Sequence, residues 1–483
     1  MKNILKYTVI ALSAAVMTTS CKDFLEQPPI LSQSNELTLS SFNGISLATA
    51  GMYAPLASTS WYSADRIIVP EMRSGNGAKS RGDGYDSNRY FTDYEWNYSV
   101  DNTPALWGLA YYVISAANNI IDAVDNNAET ILASDNTATE QDLNNFKAEA
   151  LFLRAFSHFE LALYYAQAYN KGRDNLGVPV ILVPDPELDD KPARETVGKV
   201  YDQVIADLLE AEKIIDPEYV PDRGTDKDAW ANIHVIQAML SRVYLYMSDW
   251  SNAEAYATKV IDSKVYTMWE ADDFNAATFA AKAGTGGETI FEMFGDTGNN
   301  YWGSWNDISN IASMDGSYAD AQISPDLYDL YESDDVRFSN LRFSDGDKNC
   351  WTFKYEGKLD VPQDCNNVPI IRLSEMYLNR AEARMAKGDA AGALQDINVI
   401  RDKRNASART SGGMDIVRLE RRLELAYEGH YLFDLARWNE PVERTYFVSA
   451  QIKDIPADSY RWALPIARRE LEVNPNLEQN PGY

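Results

Sequence analysis

Apolar residues recur in steps of three and four through four stretches of the chain, the spacing that keeps side chains on one face of a helix. From Lys147 to Ala168 they fall at Ala148, Leu151, Ala155, Phe159, Ala162 and Ala166. Phe152 and Phe156 widen that face, which predicts a deeply buried helix. Thr196 to Ile215 repeats the pattern with Val200, Val204, Leu208, Ala211 and Ile215. Ile233 to Ile261 reads as two helices broken near Ser248-Asp249-Trp250-Ser251, and Leu373 to Arg404 as a second pair broken at Lys387-Gly388-Asp389. The same signature follows each break, Asp249-x3-Ala253 and Asp389-x3-Ala393. A short-loop hairpin with alanine where two helices cross closely is the unit of tetratricopeptide-type repeats. The expected fold class is therefore mostly α, a tetratricopeptide-like helical-hairpin scaffold with few short strands. Its scaffold helices are expected mainly within 37–57, 104–126, 141–170, 196–261 and 373–438.

Between these parts the periodicity fails. Tyr53 to Tyr112 holds 12 aromatics in 60 residues, with turn-forming runs such as Ser74-Gly75-Asn76-Gly77. Thr267 to Pro369 is rich in Gly, Asp, Asn and aromatics. Long irregular stretches in a compact chain are uncommon unless they serve function. Regions of about 58–103 and 267–369 are thus expected to form an irregular ligand-binding face. No flexible linker separates the segments, so 21–483 reads as one unit.

Composition narrows the function classes. The 483 residues are 45% hydrophobic and 24% charged, an ordinary globular balance, and the net charge is −28. Such an excess of acid argues against a nucleic-acid partner and against an anionic membrane surface. Lys2 and Lys6 precede the apolar run Tyr7 to Met17, too short for the roughly 20 residues of a membrane-spanning helix. The run reads as a signal-peptide core, and Thr18-Thr19-Ser20-Cys21 as a bacterial lipoprotein cleavage site. Residues 1–20 are then signal peptide, Cys21 carries lipid, and the membrane is held through that anchor alone. Cys350 and Cys365 remain, an even pair that in an exported protein points to a disulfide, with two free thiols as the alternative.

Four stretches, taken in order, carry a resemblance. They are Cys21-Lys22-Asp23-Phe24-Leu25-Glu26 with Pro28; Ala148-Glu149-Ala150-Leu151-Phe152-Leu153-Arg154-Ala155 followed by Leu176-Gly177-Val178-Pro179; Arg421 to His430 running into Phe433-Asp434-Leu435-Ala436-Arg437-Trp438; and Leu464-Pro465-Ile466 with the tail Asn474 to Tyr483. Together they resemble the SusD/RagB family of outer-membrane nutrient-binding lipoproteins of Bacteroidetes, across essentially the whole chain after Cys21. The resemblance implies a tetratricopeptide-like scaffold with an irregular ligand-binding face. It also implies a SusC-like TonB-dependent outer-membrane transporter as partner, with this chain as its extracellular lid.

Glu424 and Glu428, and His430 and Asp434, are each four apart and could be drawn as an acid–base site. The better reading is a charged network in the helical part, with Arg421, Arg422 and Arg437 as counter-ions. Asp345, Asp347, Asn349 and Glu356 fit positions one, three, five and twelve of a calcium loop, but Cys350 stands where glycine makes the turn. A solvated acidic turn is the default there, so no metal and no cofactor is expected.

Aromatics give the stronger signal. Sugar rings have apolar C–H faces and hydroxyl rims, which suit a flat aromatic with Asn, Asp and Arg beside it. Trp61, Tyr62, Tyr85, Tyr90 and Trp96 lie in the first irregular region beside Arg73, Arg81 and Asp83. Tyr301, Trp302 and Trp305 lie in the second, among Asn299, Asn300, Asn306 and Asp307. These are the expected ligand-binding residues, the alternative being that such rings pack down as satellite cores. The expected function is non-catalytic capture of oligosaccharide and its delivery to the transporter. The alternatives are a peptide ligand on the same architecture and an all-helical glycan hydrolase.

Overall fold

The computed structural model describes residues 35–78, 89–184, 191–221, 223–224, 227–276, 279, 287–295, 306–344, 349–357, 366–447 and 452–483. Among them, helices of eight residues or more are α1 (Phe42–Gly51), α2 (Asp65–Ser74), α3 (Leu106–Ala133), α4 (Glu140–Tyr165), α5 (Val197–Ile214), α6 (Ile233–Tyr246), α7 (Trp250–Ser263), α8 (Leu373–Ala386), α9 (Ala390–Asp402), α10 (Met414–Glu424) and α11 (Tyr431–Trp438). The strands are β1 (Gly77–Ala78), β2 (Thr289–Met293), β3 (Gln322–Ile323), β4 (Arg342–Phe343), β5 (Cys350–Trp351) and β6 (Val368–Arg372). The fold is mostly α, a tetratricopeptide-like scaffold in which α3 packs on α4, α4 on α5, α6 on α7, α7 on α8 and α8 on α9.

Local chemistry explains the hairpins. Asp249 and Asp389, the first letters of the repeated signature, are the N-caps of α7 and α9, and their carboxylates accept from the backbone N–H of Asn252 and Gly392. Ala253 and Ala393 are fully buried, and the Ser241 hydroxyl of α6 donates to the Ala253 carbonyl at 3.1 Å. Alanine lets the two backbones approach closely enough for that bond. The break before α9 turns through Gly388 at φ 89°, and the break before α7 through Ser248 at φ 60°. Helix α4 begins at a capping box formed by Thr139 and Asp142 and is buried on almost every side from Leu143 to Tyr165. No helix among the described residues is long and apolar enough to cross a membrane.

The first irregular region differs from expectation. It contains α2, buried from Arg66 to Ser74 and packed against α11. Its charged residues are satisfied inside the protein. Arg66 donates to the Glu160 carboxylate and to the Gly429 carbonyl, the latter at 2.7 Å. Glu71 accepts from the Asn76 amide at 2.8 Å and from the Gly429 N–H at 3.1 Å. Directly after α2, β1 pairs antiparallel with β3, Gly77 opposite Ile323, which stitches the first irregular region to the second. The two other sheets are likewise two-stranded antiparallel pairs, β2 with β6 and β4 with β5.

Candidate functional site

An open cleft of about 350 Å³ lies where those two regions meet. Its walls come from the turn carrying Thr59 and Ser60, from Asp65 in the first turn of α2, from Arg89 to Asp93, from Tyr98 to Pro104, and from Asn306. Arg89 joins the two sides. It donates to the Asn306 side chain, lies over the Tyr318 ring at 4.1 Å, and stands 3.8 Å from Asp320. Tyr90 donates its hydroxyl to Asp65 at 3.0 Å, and Tyr98 to Asp93 at 2.5 Å. Burial pushes Asp65 up to about 6 and Asp93 up to about 7, against the pull of those hydroxyl donors. The lining thus offers hydroxyls, an amide, a guanidinium and two carboxylates that titrate near neutrality.

Only part of the expected constellation is here. Tyr90 forms a cleft wall. Trp61, Tyr62, Trp96 and Arg73 do not, because they are core. Trp61 is fully buried and stacks on Tyr62 and Phe156, with ring centres 6.4 and 6.2 Å apart. The Tyr62 hydroxyl donates inward to Glu160 at 3.3 Å. The Trp96 indole N–H donates to the Arg73 carbonyl at 3.0 Å, while the Arg73 guanidinium lies 4.2 Å over the Trp96 ring and donates to the carbonyl of Arg461. These rings pack against long-range partners, α4 and the 461–462 segment, which their sequence neighbours do not reveal. Arg81, Asp83, Tyr85, Tyr301, Trp302, Trp305 and Cys21 lie outside the described residues.

Asp65, Asp93, Tyr98 and Asn102 were missed by sequence reasoning. The available signal was an acidic residue directly ahead of the apolar run Ile67-Ile68-Val69, where helix N-termini collect carboxylates. Asp307, adjacent to Asn306, is a helix cap: its side chain accepts from the Asn310 N–H at 3.0 Å.

The other candidates resolve into structure. Glu424 accepts from Arg337, Arg372 and Arg404, and Glu428 from Arg372 and Lys354, all buried. Asp434 is held by Arg421 and Arg437, as expected, whereas Arg422 reaches Asn76 and the Asp326 carbonyl instead. Burial keeps the His430 imidazole far below its usual range, so it stays neutral beside these arginines. Glu356 of the calcium candidate is paired with Arg342 at 3.0 Å, and Asn349 is buried; Asp345 and Asp347 lie outside the described residues. Cys350 is buried, its side chain turned into the main core by β5. Cys365 lies outside the described residues.

A helical-hairpin scaffold bearing an irregular face with an open polar cleft defines a class of scaffolded cleft proteins. Two family models match this chain. The SusD family model matches residues 348–483, and the model described as starch-binding associating with outer membrane matches residues 23–245. The chain belongs to the SusD family. SusD-like protein P38 of Formosa agariphila is 24% identical over 100% of this chain and 99% of its own length. A SusD superfamily protein of Bacteroides thetaiotaomicron is 27% identical with a TM-score of 0.80, covering 91% of this chain and 100% of that one. Another, from Bacteroides vulgatus, is 26% identical with a TM-score of 0.80, covering 92% and 99%.

Proposed function

We propose that this protein is a non-catalytic outer-membrane lipoprotein that captures oligosaccharide in the Tyr90 cleft and passes it to a SusC-like TonB-dependent transporter. The observation that carries the reading is the cleft itself: an open cavity of about 350 Å³ whose Asp65, Arg89, Asn102 and Asn306 side chains converge beside the Tyr90 and Tyr98 rings. Such groups pair the hydroxyl rim of a sugar while an aromatic covers its C–H face. The family description, starch-binding associating with outer membrane, supports the same ligand class and location. Cys21 is the proposed lipid attachment, and Tyr301, Trp302 and Trp305, which run in sequence up to the cleft residue Asn306, are the proposed stacking platform.

Two or three stacks worth about 0.5–1.5 kcal/mol each, with hydrogen bonds, support dissociation constants in roughly the μM–mM range. That strength suits a tethered receptor beside a transporter mouth, where effective concentration is high and release is fast. Residues 22–483, screened on a glycan array beside a peptide library, test the reading. Glycans are expected to bind, and Trp302→Ala or Trp305→Ala to weaken them about tenfold or more, with an unchanged melting temperature. Binding of peptides alone would replace the sugar ligand by a peptide. Asp65 and Asp93 are two carboxylates in one cleft, so a second reading is hydrolysis, and release of shortened chains by the pure protein would establish it in place of capture.

A further inference from the structure

A second cavity, of about 370 Å³, shares no lining residue with the Tyr90 cleft. Its lining joins Gly51 at the end of α1 and Ala54, Leu56 and Ala57 of the 3₁₀ turn that follows to Trp230 and Phe294. At Gly51 a Cβ atom would meet nothing within 4 Å.

Trp230 is half-buried and held from two directions. Its ring meets the Tyr53 ring edge-on at 4.9 Å, and the Arg223 guanidinium lies 5.3 Å from its centre. The polar groups behind it are satisfied internally. Arg223 makes two bonds of 2.7 Å to Glu149, and the Tyr53 hydroxyl donates to Glu149 at 2.7 Å while accepting from the Ala231 N–H at 3.1 Å. Glu292, also in the lining, accepts from the Asn367 amide at 2.7 Å, so what the cavity offers beyond these internal pairs is a fixed indole among apolar residues. A neutral ring with an apolar face matches that surface, whereas a charged group would find no free counter-ion.

The cavity adjoins the cleft. Ala57 lines one and Thr59 the other, so their Cα atoms are no more than about 7.6 Å apart. Resting on the glycan reading above, we propose that the Trp230 cavity is a second subsite for a neutral sugar residue. The cleft and the cavity then form one track across the Ala54–Ser60 turn. A chain long enough to enter both gains affinity from linked binding, and a disaccharide held in the cleft does not.

Titration calorimetry on residues 22–483 with malto-, cello-, xylo- and laminari-oligosaccharides of two to eight units tests this. The series that binds is expected to tighten about tenfold or more between its short and long members. Trp230→Ala and Ala54→Phe, the second of which sets a ring on a small residue that lines this cavity, are each expected to erase that gain. Both should leave the affinity for the shortest member unchanged. If both variants keep the wild-type dependence on chain length, the second subsite is overturned while the cleft reading stands. If no series binds the wild-type protein, both fall together.

Discussion

Trp61 is fully buried and Trp230 half open. The difference lies in what packs against them. Phe156 of α4, 95 positions further along the chain, stacks on Trp61, while Trp230 lines a cavity together with small residues of the 3₁₀ turn. Truncating Trp61 to alanine is therefore expected to cost about 3–5 kcal/mol of stability, read from urea denaturation, with ligand affinity per folded molecule unchanged. Loss of binding at full stability would return Trp61 to the ligand site.

Among the elements, the two hairpin breaks show how a short signature encodes a turn. Asp caps the second helix, alanine lets it cross its partner, and the residue before Asp takes the left-handed conformation. Gly388 does so without a Cβ, and a Cβ built there meets nothing within 4 Å, so its replacement meets only backbone strain. Gly388→Ala is expected to destabilise by about 1 kcal/mol, measured as a lower denaturation midpoint with an unchanged slope. Helix α2 is the counter-example. Its Arg66, Glu71 and Arg73 are buried with partners from α4, Gly429 and the 461–462 carbonyls, and nothing local announces that.

For the molecule as a whole, buried ion pairs and the cleft carboxylates pull the pH dependence in opposite directions. Glu382, Glu424 and Glu428 are held below the usual carboxylate range by arginines, despite the opposing effect of burial. Groups lowered in the fold stabilise it above their unfolded pKa, and that contribution is lost as pH falls below about 4.5. Asp65 and Asp93 are raised by burial, to about 6 and about 7, so they bind protons more tightly in the fold than unfolded. Their ionisation lowers stability as pH rises from about 4 to 7. Thermal unfolding is thus expected to show a steep loss of stability below about pH 4 and a decline from about pH 4 to 7 that levels off above it. Asp93→Asn should make that decline shallower, the rest being left to Asp65 and Glu71, which burial also raises, and an unchanged slope would remove Asp93 as a cause.

The pattern along the chain determined the hairpins, their breaks, the family and the general place of the irregular face, because helical periodicity and capping act between residues a few positions apart. It also marked Tyr90 and Asn306 as belonging to that face. Which rings are core and which line a cavity was decided only by tertiary structure. An aromatic is buried or open according to partners that are distant in sequence, and no local pattern records whether the wall opposite it is filled or left empty.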